Sequence, residues 1–111
     1  MTQDQPIICI PSALTHKQRA RARELRARLA GATSNVREES DGYAYAYAYA
    51  ADPELLRMLG EWIGLERLCC PFLTFEVRWP SGDDAPTLRL SGPEGVKDFL
   101  RAEMPELASQ I

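Results

Sequence analysis

The sequence predicts an α+β domain, a two-layer sandwich with three helices on one face of a mainly antiparallel sheet. The first observation behind this is alternation. Tyr43-Ala44-Tyr45-Ala46-Tyr47-Ala48-Tyr49-Ala50 is a strict period-two pattern, the spacing that sends successive side chains to opposite faces of a strand. Residues 72–79 set Leu73, Phe75, Val77 and Trp79 against Thr74, Glu76 and Arg78, and residues 87–91 set Leu88 and Leu90 against Thr87, Arg89 and Ser91. One sheet face is thus apolar and the other wet, as in an antiparallel sheet covered by helices on one side. The second observation is that segments of helical period with start and stop signals lie between these strands. The third is their order: a strand, then helix and hairpin twice, then a last helix. That order reads as a duplicated α-β-β unit.

In chain order, residues 6–11 form a short apolar run closed by prolines and are expected as a buried strand, with Cys9 in the core. Thr15 and Gln18 make a capping box for a helix over residues 16–30, with Leu14, Ala22, Leu25, Leu29 and Ala32 as its buried stripe and Gly31 as its stop. Residues 35–40, then Asp41-Gly42, then Tyr43 onward read as a hairpin with a type I′ turn. The tyrosines should point inward and the alanines outward; the reverse would leave a tyrosine ladder in need of a partner. Asp52 and Pro53 open a second helix running to about Cys70, where Pro71 stops it. Residues 80–86 form the loop of the second hairpin. Ser91 or Gly92 caps a third helix packed through Val96, Phe99 and Leu100, and Pro105 ends or kinks it. Residues 1–5 and 106–111 are expected to fray.

The chain has 111 residues, enough for one domain that buries roughly 65% of its unfolded surface without staples. Hydrophobic content of 45% and charged content of 26% fit a soluble globule. Three cysteines, two of them adjacent, do not form the framework of a disulfide-rich secreted domain. Reduced thiols in a cytoplasmic protein are the simpler expectation. Ile7-Ile8-Cys9-Ile10 is too short for a signal-peptide core, and no run approaches the roughly 20 apolar residues of a membrane span.

The net charge of −3 conceals a basic segment. On the helix wheel, however, Lys17, Arg21 and Arg28 flank one side of the apolar stripe and Arg19, Arg23 and Arg26 the other. Solvated arginines that snorkel around a core face explain this better than a nucleic-acid surface. A homodimer is expected through the small-residue, weakly charged face of the Tyr-Ala strand.

The chemistry concentrates at the end of the second helix. Projected at about 100° per residue, Trp62, Leu55, Leu59, Ile63 and Leu56 form an apolar arc that contains Glu66 and Cys70, with Cys69 at its edge. A glutamate inside a core stripe breaks the binary pattern, and such breaks mark functional or specially paired groups. Glu66, Cys69 and Cys70 stand at i, i+3 and i+4, neighbours on one helical face. A carboxylate and two thiolates can hold a metal ion, with a further ligand from Cys9, His16 or water. Sulfur ligands favour zinc, copper(I) or mercury(II) over magnesium or calcium. Side chains of adjacent cysteines diverge on a regular helix, which counts against a compact site. His16, the one histidine, reads as a solvated or capping side chain unless the fold brings it to the cysteines.

Thiol catalysis competes with this reading, but a helix C-terminus and a nearby carboxylate both disfavour the thiolate. A third reading is a structural or protein-interaction domain, in which the cysteines are small core residues and Glu66 has a structural partner. No nucleophile–base pair, phosphate loop or cofactor fingerprint supports an enzyme.

Asp41-Gly42-Tyr43-Ala44, Glu66-x-x-Cys69-Cys70-Pro71-Phe72-x-x-Phe75 and Leu88-x-Leu90-x-Gly92-Pro93-Glu94-Gly95-Val96-Lys97-x-Phe99-Leu100 together resemble a small family of uncharacterised bacterial proteins, over residues 14–104. The Glu-x-x-Cys-Cys-Pro-Phe core is the distinctive part. The resemblance implies a free-standing small domain and carries no assigned activity. The Tyr-Ala run stands where that family has a more mixed strand.

Overall fold

The computed structural model describes residues 6–48, 52–82 and 84–108. After a single 3-10 turn at Pro11–Ala13, the chain forms α1 (His16–Ala32), β1 (Thr33–Glu39), β2 (Gly42–Tyr47), α2 (Pro53–Cys69), β3 (Thr74–Arg78), β4 (Thr87–Ser91), α3 (Val96–Glu103) and the one-turn α4 (Pro105–Ala108). The four strands lie in the order β1-β2-β4-β3, and every neighbouring pair is antiparallel. Each helix–hairpin unit therefore supplies one inner and one outer strand, and β2 meets β4 at the centre. The helices cover the apolar face, giving the expected α+β sandwich.

Both long helices start as their sequences dictate. Thr15 accepts from the Gln18 N–H while the Gln18 side chain accepts from the Thr15 N–H, and the Asp52 carboxylate accepts from the Glu54 N–H ahead of Pro53. Helix α1 runs through Gly31 to Ala32 and passes directly into β1. Its buried residues are Ala22, Leu25, Leu29 and Ala30, so Ala30 takes the place expected for the half-buried Ala32. Helix α2 buries Leu55, Met58, Leu59, Trp62 and Glu66. Its apolar arc is thus rotated toward Met58, and Leu56 is left 52% exposed. Arg21 ties the two helices together by a two-pronged bridge to Glu61, at 2.8 and 2.9 Å.

Tyr43, Tyr45 and Tyr47 are fully buried, side by side with Leu88 and Leu90 under the helices. Tyr49 and Ala50 lie outside the described residues. The Tyr43 hydroxyl accepts from Arg101 on α3 at 2.8 Å, so this ring reaches a polar partner at the edge of the core. On the opposite face, Arg89 fans its guanidinium onto Glu39, Asp41 and Glu76, joining β1, β4 and β3 across the sheet. Ala44 sits opposite Arg89 and is itself buried. Strand β2 has hydrogen-bonded neighbours on both sides and so presents its alanine face, and no free edge, to the surroundings.

Three expectations are corrected. Residues 6–11 are not a strand: residues 6–10 run irregularly and Pro11 opens the 3-10 turn. Prolines at both ends lack the N–H a ladder needs, and Ile8 and Ile10 face outward, 59% and 44% exposed. The first hairpin turn is Ser40-Asp41, since Glu39 pairs with Gly42. No described residue other than glycine has positive φ, so the turn is not type I′. Gly42 is required for a different reason: a Cβ there would overlap the Leu90 carbonyl of the neighbouring strand. Finally, α3 is capped by Gly95 at φ 95° instead of by Ser91 or Gly92. At the C-terminus, α4 carries Leu107 into the core, while residues 1–5 and 109–111 lie outside the described residues.

Gly42→Ala should therefore cost about 3 kcal/mol, at the upper end of overpacking because backbone must move. Chemical denaturation checks this, with Gly31→Ala as the control: a Cβ at Gly31 meets nothing within 4 Å and should be neutral or mildly stabilising.

Candidate metal centre

Three sulfurs meet where α2 ends. The last helical residue is Cys69, and Pro71, which lacks an N–H, prevents continuation. Cys70 is the C-cap, at φ −123° and ψ 71°. That departure from helical geometry removes the divergence expected of adjacent cysteines, because Cys70 is no longer on the helix wheel. The irregular residues before the 3-10 turn complete the group. The Ile10 N–H donates to the Cys69 carbonyl at 2.8 Å, satisfying one of the carbonyls a helix C-terminus leaves open. This clasp sets Cys9 against the helix end. The Sγ atoms of Cys9, Cys69 and Cys70 all lie within 4.8 Å of one another, and Cys9 and Cys70 are 3.8 Å apart. Zinc–sulfur bonds of about 2.3 Å at tetrahedral angles span a sulfur–sulfur edge of roughly 3.8 Å. All three cysteines are free thiols; Cys70 is buried and the other two are half-buried.

Glu66 borders the group without belonging to it. It is 5% exposed. One carboxylate oxygen lies 3.9 Å from Cys70 Sγ and the other 3.9 Å from the Arg26 guanidinium on α1. The carboxylate that broke the core pattern thus stands between a thiol and a cation, with the cation as its structural partner. His16 is exposed in the first turn of α1 and is not one of the clustered residues. The site centres on Cys69, Cys70 and Cys9, with Cys9 moved from a supplementary position to a central one.

Burial pushes the Cys9 thiol up to about 11. Burial raises Cys70 further still, reinforced by the charges of Cys9 and Glu66. Both are therefore neutral thiols near pH 7, a poor state for a catalytic nucleophile. A soft cation changes the balance, because it replaces the thiol protons and neutralises the sulfurs. The C-terminal end of α2 also favours positive charge.

The sequence reading missed the wall facing the thiols. A cavity of about 210 Å³ opens beside them, with Arg19, Arg23 and Arg26 of α1 on its lining. These are the three arginines that flank one side of the α1 stripe. Their spacing placed them together, but nothing in it indicated that α1 would turn this flank toward the end of α2. Arg19 is committed to the backbone carbonyls of Pro11 and Leu14 and so braces the 3-10 turn that follows Cys9.

Fold and site together define a small α+β domain with three neighbouring thiols that can hold a metal ion. Comparison with protein-family models, curated proteins and solved structures finds no match for this chain.

Proposed function

We propose that the chain is a small cytoplasmic protein of the bacterial family its Glu-x-x-Cys-Cys-Pro-Phe segment resembles, and that it binds one soft metal ion for sequestration or handling. The ligands are Cys9, Cys69 and Cys70. Glu66 is the adjacent carboxylate, available to hydrogen-bond a metal-bound water or to approach as a fourth ligand. The observation that carries this reading is the convergence of three sulfurs from two separate segments within 4.8 Å. A donor set dominated by sulfur selects zinc, copper(I) or mercury(II) over hard ions, and cellular availability decides among them.

The test is titration of the reduced protein with zinc, copper(I) and mercury(II), followed by native mass spectrometry. One equivalent should bind. Glu66→Gln should weaken binding by about tenfold, the effect of losing a group that supports a ligand. Binding unaffected by substitution of the cysteines would reject the site, and absence of binding would favour an interaction domain.

Because Cys9 and Cys70 are protonated at neutral pH, metal binding must displace at least two protons. Below the thiol pKa values, each displaced proton makes apparent affinity rise tenfold per pH unit. Zinc affinity should therefore increase by at least about a hundredfold per unit between pH 6 and 8. Calorimetry in buffers of different ionisation enthalpy measures the proton count.

A further inference from the structure

We propose that the thiol centre takes a soft metal or metalloid atom carrying one organic group, with sulfur holding the atom and the adjoining cavity holding the group. This rests on the soft-ion reading above and specifies its ligand class. A bare ion needs only the space between the sulfurs. The cavity beside them, about 210 Å³, is far larger, and its wall combines the apolar Leu14, Ala22, Phe99 and Met104 with the Glu103 carboxylate and the α1 arginines. Ala22 leaves room where a larger side chain would fill the space. Phe99 is held edge-on to Phe72 at 4.7 Å between centroids. An apolar cavity on the order of 150 Å³ accepts a benzene ring, so this one has room for an aryl group joined to an atom at the sulfurs. Arg19, Arg23 and Arg26 also line the cavity; Arg19 is engaged with backbone carbonyls and Arg26 with Glu66.

The binding step needs no oxidant. With phenylarsine oxide as the probe, two cysteine thiols give their protons to the oxide oxygen, which leaves as water. Two arsenic–sulfur bonds replace the arsenic–oxygen bond, arsenic stays trivalent, and the arsenic–carbon bond stays intact. The Cys9–Cys70 pair, 3.8 Å apart, is the natural pair for these bonds.

The experiment compares phenylarsine oxide with methylarsine oxide on the reduced full chain, each in competition with dithiothreitol. Both form the same two sulfur bonds and differ only in the organic group. Referenced to dithiothreitol, the protein should prefer phenyl to methyl by at least tenfold, the value of burying much of an aryl ring. Ala22→Leu should erase that preference and leave methyl and zinc affinities unchanged. In the unsubstituted protein, nuclear Overhauser contacts should join the phenyl protons to the methyl groups of Ala22 and Met104, a readout that does not depend on the variant folding. Cysteine-dependent zinc or mercury(II) binding with no phenyl preference and no such contacts would overturn this inference alone. Failure of the cysteines to bind either ion or arsenical would overturn it together with the proposed function.

Discussion

Cys70→Ser should weaken binding of zinc or mercury(II) by at least a hundredfold. Cys70 is the most buried of the three thiols, 3.8 Å from Cys9 and 3.9 Å from the Glu66 carboxylate, so every other group of the site is arranged around it. A serine hydroxyl is a hard donor and a poor replacement for thiolate toward these ions. Cys9→Ser should have a comparable effect, although Cys9 lies 61 residues away in sequence. That second result carries particular weight, because only the folded chain brings Cys9 to the site. Competition against a chelator of known affinity measures both losses, and circular dichroism of the metal-free variants checks that the fold is intact. Equal affinity in the native chain and Cys9→Ser would remove Cys9 from the ligand set.

Trp62→Ala should destabilise the domain by about 3–5 kcal/mol, the range for deleting a large buried aromatic. Trp62 is 1% exposed, lies on the buried face of α2 and meets Phe75 of β3 edge-on at 5.7 Å. It therefore joins the helix that carries Cys69 and Glu66 to the edge strand of the sheet. Because total stability of such domains is on the order of 5–15 kcal/mol, this loss should produce a large fraction of unfolded chain under mild denaturant. Tyr45→Phe is the instructive contrast. Tyr45 is equally buried, but its hydroxyl has no hydrogen-bond partner among the described residues, so removing the oxygen relieves a desolvated polar atom and keeps the ring. Stability should be unchanged or slightly higher. Urea denaturation of both variants checks the pair, and a large loss in Tyr45→Phe would mean the hydroxyl is satisfied in solution.

Much of the fold was legible because local rules and packing agree. The Tyr-Ala alternation told which side chains go inward, and Thr15 with Gln18 and Asp52 with Pro53 marked two helix starts within a residue. The apolar run at residues 7–10 was misread because composition cannot distinguish a buried strand from an irregular strap between prolines. Its backbone bonds to the helix end, through Ile10 to Cys69, instead of to a strand. Asp41-Gly42 was read as a turn because of its chemistry. The glycine is instead demanded by the neighbouring strand, a contact that no local pattern encodes.

The site divides along the same line. Glu66, Cys69 and Cys70 share one stretch of helix, so their spacing made them visible. Cys9 and the arginine flank of α1 reach the site through tertiary contacts and could not be ranked by spacing. The adjacent cysteines looked unfavourable on a regular helix, and only the non-helical backbone at Cys70 lets them converge.

X-ray absorption at the zinc edge of the zinc-loaded protein tests the three-thiol centre most directly, because it counts the sulfur neighbours of the bound ion. Three sulfurs at about 2.3 Å with one lighter donor are predicted, falling to two sulfurs in Cys9→Ser. A shell dominated by oxygen or nitrogen, or a sulfur count that does not change in Cys9→Ser, would contradict the three-thiol centre.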